Sequence, residues 1–189
     1  MQITKENLTI IIVTLKSYDV IDNCLKSIDP DIKKIIVENS GDKKFIDSLK
    51  DKHKNVTCYL TGKNLGMGAG NNFGINKSQT RYVMILNPDT ILKSNTLSQI
   101  FEASKNLEFA ILSPLSDNTD YPNYKINNKR RINESDLFQV DQVDGYAMIL
   151  DKEQFNKSFF DEKIFMYLEN DDLCLRVRKN NKKIFIYSN

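Results

Sequence analysis

The sequence predicts an α/β fold with a mostly parallel central sheet and helices on both faces. A continuous β-branched run at Leu8 to Thr14 is typical of a strand buried on both sides. Strand-like and helix-like patterns then alternate along the first half of the chain, which favours βαβ units. Polar, turn-forming residues follow directly after the predicted strands, where open parallel sheets bind ligands.

The first half of the chain gives a clear series of elements. Residues 18–28 carry a helical stripe of apolar side chains that is closed by Pro30. Short apolar runs predict the other strands, and the intervening segments predict helices. The predicted strands are 8–14, 32–37, 56–60 and 81–86, and the predicted helices are 18–28, 42–49 and 67–78.

Beyond Thr90 the pattern is looser. We expect helices at 96–107 and 169–179, strands at 109–112 and 184–187, and a helical turn at 151–155. Residues 116–136 are polar, 140–150 are strand-like, and 159–166 form an aromatic-rich connection. We predict one domain over residues 1–189, with a ligand-binding half at about 1–90 and a second functional half at about 91–189.

Composition narrows the class of protein. The 189 residues are 40% hydrophobic and 28% charged, and the net charge of +2 is too balanced to indicate a nucleic-acid partner. Three separated cysteines and a single histidine argue against a disulfide framework, a histidine-rich metal site or a Ser-His-Asp triad. The amino terminus lacks a basic segment and a small-residue cleavage site, so we expect a cytoplasmic protein.

Asn87-Pro88-Asp89 follows the predicted strand 81–86 at once. Pro88 cannot continue a central strand and presets its own φ, so a stiff corner would present the Asp89 carboxylate at the sheet edge. We hypothesise that Asp89 holds a divalent metal on a nucleotide diphosphate. The alternative is a strand-to-helix turn in which Asp or Thr acts as a cap.

The glycine-rich stretch 62–74 lacks the G-x-x-x-x-G-K-[ST] spacing of the phosphate-binding P-loop. It also departs from the dinucleotide fingerprint G-x-G-x-x-G, because Asn71 stands where a glycine is required. One interpretation is a helix entry whose free N–H groups and dipole favour a diphosphate. The other is that Gly66, Gly68 and Gly70 permit tight turns and close helix packing. The sequence leaves both open.

Carboxylates crowd the start of the predicted helix 169–179, directly after Phe165-Met166-Tyr167. Asp172 and Arg176 are spaced as a structural i, i+4 ion pair. Three carboxylates within four residues, beside an apolar segment, are also a pattern that suits a general base.

Together these segments resemble the family 2 glycosyltransferases, especially their bacterial rhamnosyltransferase-like branch, which builds surface polysaccharides. The matching segments, in order, are VTLKS, VENSG, KNLGMGAGNNFGI, YVMILNPDT, VDGYAMIL and FFDEKIFMYLENDDLCLRVRKNNKKIFIY. The resemblance implies a single-domain, Rossmann-like GT-A fold. It also implies inverting hexosyl or rhamnosyl transfer from a UDP-, dTDP- or GDP-sugar to the hydroxyl of a glycan or lipid-linked acceptor.

The resemblance also implies a set of site residues. Asp89 would bind Mg²⁺ or Mn²⁺, and Asp144 and Gly145 would face the donor sugar and acceptor. Catalysis would fall to the carboxylates of the 169–172 cluster, with Glu169 ranked first and Asp171 and Asp172 also candidates. The implied nucleotide-sugar-binding residues are Thr14, Glu38, Asn39, Ser40, Asn64, Gly66, Gly70, Asn72 and Asn87.

Several departures from the family pattern keep alternatives open. Asn170 replaces the aspartate of the family's Glu-Asp motif, Asn87 replaces the first aspartate of its DxD-type motif, and Leu15-Lys16 stand where Tyr-Asn is usual. Many relatives have a later histidine that completes the metal site, and this sequence ends at Asn189 before it. We therefore expect a minimal enzyme, a truncated chain or one part of a larger assembly.

These departures favour, as an alternative, a catalytically impaired GT-A domain that acts as a nucleotide-sugar-binding or scaffold subunit. A nucleotidyltransferase is disfavoured, because no basic glycine-rich loop lies near the first strand. The basic residues at 129–131 and 176–183 leave open a peripheral contact with the inner face of the membrane.

Overall fold

A computed structural model describes residues 2–118, 120–126, 130–131, 136–156 and 159–188. It has a nine-stranded sheet with helices on both faces and a separate two-stranded sheet. The predicted α/β class is therefore confirmed.

The first half of the chain forms the parallel part of the sheet. Its strands are β1 (Leu8–Thr14), β2 (Lys33–Glu38), β3 (Val56–Leu60) and β4 (Tyr82–Leu86). Its helices are α1 (Ile21–Ser27), α2 (Lys43–Lys52) and α3 (Met67–Lys77). The strands lie side by side in the order β3-β2-β1-β4, and every neighbouring pair is parallel. All four carboxyl ends therefore meet at one edge.

The second half extends the same sheet beyond β4. Its helices are α4 (Thr96–Ala103) and α5 (Glu169–Lys179), with a 3-10 turn at Lys152–Gln154. Its strands are β5 (Ile111–Pro114), β6 (Tyr124–Lys125), β7 (Arg130–Arg131), β8 (Leu137–Gln139), β9 (Gln142–Val143), β10 (Ala147–Asp151) and β11 (Ile184–Tyr187). The sheet continues as β10-β5-β11-β8-β7, in which β10 and β8 oppose the other strands, and β6 pairs with β9 alone.

The structure corrects several boundaries in the second half. The strand-like stretch 140–150 is two strands, because a turn at Gly145-Tyr146 separates β9 from β10. The helix predicted at 96–107 ends at Ala103. The strand predicted at 109–112 is Ile111–Pro114, so it starts two residues later than predicted. Within the polar stretch 116–136, β6 and β7 are short strands, while Lys129 lies outside the described residues.

The core lies on both faces of β1, and all seven residues of this strand are buried. Ile10 and Ile12 pack with α1, α2 and α4 on one face, while Ile11 and Val13 pack with α3 and α5 on the other. Burial on both faces explains the continuous apolar run in the sequence. Within the described ranges, no helix has the length and apolar character needed to cross a membrane.

Candidate active site

A cavity of about 500 Å³ opens at the edge where the parallel strands end. It lies between the ends of β1 and β4, the start of α3, the β9–β10 turn and the start of α5. Nine of the predicted site residues line it: Thr14, Asn39, Asn64, Gly66, Asn87, Asp89, Asp144, Gly145 and Glu169. Glu38, Ser40, Gly70, Asn72, Asp171 and Asp172 do not line its wall.

Asn87, Pro88 and Asp89 form a tight turn directly after β4. The backbone N–H of Thr90 donates to the carbonyl of Asn87 at 3.1 Å, and the N–H of Asn87 donates to the carbonyl of Tyr146 at 2.8 Å. Asp89 is exposed on this corner and makes no hydrogen bond or ion pair to another described residue. Its carboxylate is therefore free to accept a ligand from the cavity.

Glu38 lies beneath the cavity wall. It is fully buried at the end of β2, where its carboxylate accepts hydrogen bonds from the hydroxyls of Thr14 at 2.5 Å and Ser40 at 2.6 Å. A buried carboxylate needs such donors, because leaving it unpaired costs several kcal/mol. Thr14 reaches the cavity, and Glu38 fixes the side chain of Thr14 from behind.

Asn39 joins the end of β2 to the glycine-rich segment. Its amide nitrogen donates to the Gly66 carbonyl at 3.0 Å and to Asn64 Oδ1 at 3.3 Å, while Asn64 Oδ1 accepts from the Gly66 N–H at 2.9 Å. Leu65 N–H donates to Asn39 Oδ1 at 3.3 Å. These asparagines hold the loop before α3 in one conformation.

The helical glycines of α3 allow close packing, as one of the two interpretations of this segment expected. A Cβ on Gly74 would lie 2.4 Å from a methyl carbon of Ile11, and one on Gly70 would lie 2.9 Å from a methyl carbon of Val13. Contacts under 3.0 Å would force the helix away from β1. A role of the α3 amino terminus in binding an anion stays a prediction.

Asp144 and Gly145 bring the β9–β10 turn against the start of α5. A Cβ on Gly145 would lie 3.4 Å from the Cβ of Asn170, whose amide donates to the Val143 carbonyl at 3.2 Å. Burial, reinforced by the nearby Asp171 carboxylate, raises the pKa of Asp144. Asn170 thus ties two parts of the site together, a role that does not require a carboxylate.

Glu169 is the first residue of α5, and its side chain is turned inward. The residue is 9% exposed, and its Oε2 is buried without a hydrogen-bond partner in the part of the chain that the structure describes. Tyr167 and Leu168, which precede it, have φ of 64° and 68°, a conformation that costs energy in residues other than glycine. A costly backbone therefore places Glu169 in the cavity wall, with one carboxylate oxygen buried and unpartnered among the described residues.

Asp171 and Asp172 have other partners. Asp171 accepts hydrogen bonds from the amides of Gln142 at 2.6 Å and Asn170 at 3.0 Å. Asp172 pairs with Arg176 at 2.7 Å, as the i, i+4 spacing predicts. Among the three catalytic candidates, Glu169 alone lines the cavity.

The charges of the cavity wall are all negative. Asp89, Asp144 and Glu169 line it, and no lysine or arginine of the described residues does so. A ligand that carries a diphosphate would be repelled by such a wall unless a cation accompanied it. Among the described residues, no three His, Cys, Asp or Glu side chains cluster closely enough to hold a metal by themselves.

The sequence interpretation gave no site role to part of the wall. Tyr146 and the segment 166–168 also line the cavity, and Tyr167 and Leu168 are 76% and 65% exposed. Burial raises the pKa of the Tyr146 hydroxyl. Each of these residues adjoins a predicted motif residue, so proximity in sequence was the available signal.

Comparison with known proteins identifies the family of the chain. The family model described as glycosyl transferase family 2 matches residues 9–175. The chain is 26% identical over 198 residues to Agl10 of Haloferax volcanii, a low-salt glycan biosynthesis hexosyltransferase, covering 95% of this chain and 64% of Agl10. It is 27% identical over 200 residues to the rhamnosyltransferase WbbL of Escherichia coli, covering 89% of this chain and 75% of WbbL.

The fold has solved relatives. The crystal structure of GalNAc-T7 with UDP, GalNAc and Mn²⁺ superposes with a TM-score of 0.76 at 10% identity, covering 96% of this chain and 42% of GalNAc-T7. At that identity the likeness establishes the GT-A fold alone. Since the family model spans most of the sequence, the chain belongs to glycosyl transferase family 2.

Proposed function

We propose that this chain is the catalytic domain of an inverting glycosyltransferase. It would move a hexosyl or rhamnosyl group from a nucleotide-sugar donor to a hydroxyl of a glycan or lipid-linked acceptor, in surface polysaccharide synthesis. The observation that carries the proposal is that Glu169, whose Oε2 is buried and unpartnered among the described residues, lines the same cavity as the free carboxylate of Asp89. Agl10 and WbbL are named a hexosyltransferase and a rhamnosyltransferase, which supports this reaction class.

Glu169 would act as the general base. The acceptor oxygen attacks the anomeric carbon as its proton passes to the Glu169 carboxylate, while the bond from that carbon to the diphosphate oxygen breaks. A base in this role contributes about 10²- to 10⁴-fold to the rate. Attack from the face opposite the leaving group inverts the configuration at the anomeric carbon.

Asp89 would hold Mg²⁺ or Mn²⁺ together with the donor diphosphate. The residues fit such an ion, since Mg²⁺ is commonly bound by one or two carboxylates plus substrate phosphates. The all-negative cavity wall also requires a cation for a diphosphate to bind. When bound, the ion supplies positive charge that stabilises the departing nucleoside diphosphate.

The remaining wall residues would bind and orient the donor. Thr14, Asn39 and Asn64 lie at the ends of β1 and β2 and in the loop before α3, on the side of the cavity that we assign to the nucleoside. Asp144 and Gly145 line the same cavity as Glu169 and would face the transferred sugar. GalNAc-T7 is described with UDP and Mn²⁺, which supports a nucleotide donor and a divalent ion.

A binding panel tests this proposal. UDP-, dTDP- and GDP-sugars are titrated into the protein by calorimetry, each with Mn²⁺ and with EDTA. We expect binding of at least one of them that depends on Mn²⁺ and weakens about tenfold or more in Asp89→Asn, since loss of even an outer-shell support of a bound metal costs about 10- to 100-fold in metal affinity.

Asp47→Asn is the matched control, because Asp47 is exposed on α2 and does not line the cavity. It should bind like the wild type. Failure of every nucleotide sugar to bind, or equal binding by Asp89→Asn, would contradict the proposed donor site.

A further inference from the structure

We propose that Asn72 is a positioning residue that sets the place of Glu169 from a distance, rather than a donor-binding residue. The inference rests on the proposed function, because it assumes that Glu169 is the base. Asn72 lies on α3, and it acts on Glu169 through the connection between β10 and α5.

Asn72 clamps both backbone groups of Phe160. Its Nδ2 donates to the Phe160 carbonyl at 2.9 Å, and its Oδ1 accepts from the Phe160 N–H at 3.0 Å. Nδ2 also donates to Glu162 Oε1 at 3.0 Å. The residue is 3% exposed and does not line the cavity, so its amide is committed to this connection.

A second clamp lies five residues further along the connection. The N–H of Met67, the first residue of α3, donates to the Phe165 carbonyl at 3.0 Å. Gly66 makes room for this contact, since a Cβ there would lie 2.1 Å from the same carbonyl oxygen. The stretch from Phe160 to Phe165 is therefore fixed to α3 at both ends.

Glu169 is the next point of contact with α3. A Cβ on Gly68 would lie 3.5 Å from the Cβ of Glu169 and 3.2 Å from the Cβ of Phe160. The amino terminus of α5 has no side-chain cap of its own, and two residues of positive φ precede it. Asn170 and Asp171 hold the start of α5 to β9, and the Asn72 clamp holds the connection that leads into it to α3.

Loss of the clamp should separate catalysis from donor binding. In Asn72→Ala the buried N–H and carbonyl of Phe160 lose their partners, so the connection shifts and carries Glu169 with it. The Asn87–Asp89 turn follows a different strand and should keep its place. A displacement of about 1 Å in a catalytic group can lower the rate by about 100-fold.

The test compares Asn72→Ala with Asn76→Ala, a matched control at an exposed asparagine of the same helix. We measure Kd for UDP with Mn²⁺, and then kcat and KM for the release of UDP from the UDP-sugar that binds the wild type. If the wild type binds a dTDP- or GDP-sugar instead, the same constants are measured with dTDP or GDP and that sugar. We expect kcat to fall about 100-fold in Asn72→Ala, with Kd and KM within about twofold of wild type. Asn76→Ala should match the wild type in all three.

Two outcomes would overturn the inference while leaving the proposed function intact. Full kcat in Asn72→Ala would show that Glu169 does not depend on the clamp. A loss of UDP affinity equal to the loss of kcat would make Asn72 a donor-binding residue. Asn72→Ser places a shorter hydroxyl side chain at this position, and it is judged by the same two criteria if Asn72→Ala does not fold. A wild-type protein that binds a nucleotide sugar but releases no nucleotide would instead contradict the proposed function and remove the basis of this inference.

Discussion

Gly66 is the position where a single methyl group should do most damage. Its φ of 84° and ψ of 178° lie in a region that is essentially restricted to glycine, and alanine there costs about 1 to 3 kcal/mol of strain. The new Cβ would also meet the Phe165 carbonyl oxygen at 2.1 Å and displace it, which breaks the hydrogen bond from Met67 at a cost of about 1 kcal/mol. We expect Gly66→Ala to lose about 3 kcal/mol of stability and roughly 6 to 12 °C in Tm.

Two other glycines separate the contributions to this loss. Gly62 has φ of 74° but nothing within 4 Å of an added Cβ, so Gly62→Ala should cost only the strain, about 1 kcal/mol. Gly41 has neither constraint, and Gly41→Ala should stay within about 0.5 kcal/mol of wild type. Urea unfolding followed by circular dichroism measures all three. If Gly66→Ala were no less stable than Gly62→Ala, the packing of the connection against the glycine-rich segment would be refuted.

Three further changes test other parts of the structure. Because the pKa of Asp144 is raised in the folded protein, its charged form opposes folding at neutral pH. Asp144→Asn should therefore stabilise the protein at pH 7, and less so at pH 3, when measured by urea unfolding. A larger gain in stability at pH 3 than at pH 7 would refute this prediction. Thr14→Val removes a hydrogen-bond donor from the buried Glu38 carboxylate, so the free energy of unfolding should fall by about 1 to 3 kcal/mol in the same assay. An unchanged free energy of unfolding would mean that water solvates this carboxylate. All three cysteines are free, Cys24 and Cys174 are buried, and burial raises the pKa of Cys24 to about 12 and that of Cys174 to about 11. A thiol reagent at pH 8 should therefore react slowly with these two thiols in the native protein and fully in urea, whereas immediate reaction of both would contradict their burial.

The strands of the parallel half could be predicted because their apolar and β-branched residues stand in continuous runs, and β1 is buried on both faces. Leu8–Thr14 and Val56–Leu60 were predicted to the residue, since each apolar or β-branched run ends where a polar turn begins. The second half was harder. Its strands β6 to β9 are two or three residues long, too short for a periodic pattern to mark them. A turn at Gly145-Tyr146 within an apolar stretch likewise left no signal of two strands.

The candidate site was predictable in its residue types but not in its pairings. The sequence could place Asp89 at a sheet edge, because Pro88 stops β4 there. It could not show that Gln142 engages Asp171 or that Asn72 turns toward Phe160, because those partners lie 29 and 88 residues away. Long-range hydrogen bonds of this kind are set by tertiary packing, which a local pattern does not record.

Glu169 is proposed to accept the proton of the acceptor hydroxyl in a cavity where other residues hold the donor. Measuring donor binding and sugar transfer in the same Glu169→Gln protein tests this role most directly. Glu102→Gln serves as the control, because Glu102 lies on α4 and pairs with Lys105 at the surface. We predict that Glu169→Gln binds the nucleotide sugar with Mn²⁺ as tightly as wild type and transfers sugar about 10²- to 10⁴-fold more slowly. Transfer by Glu169→Gln at the wild-type rate would contradict the assignment.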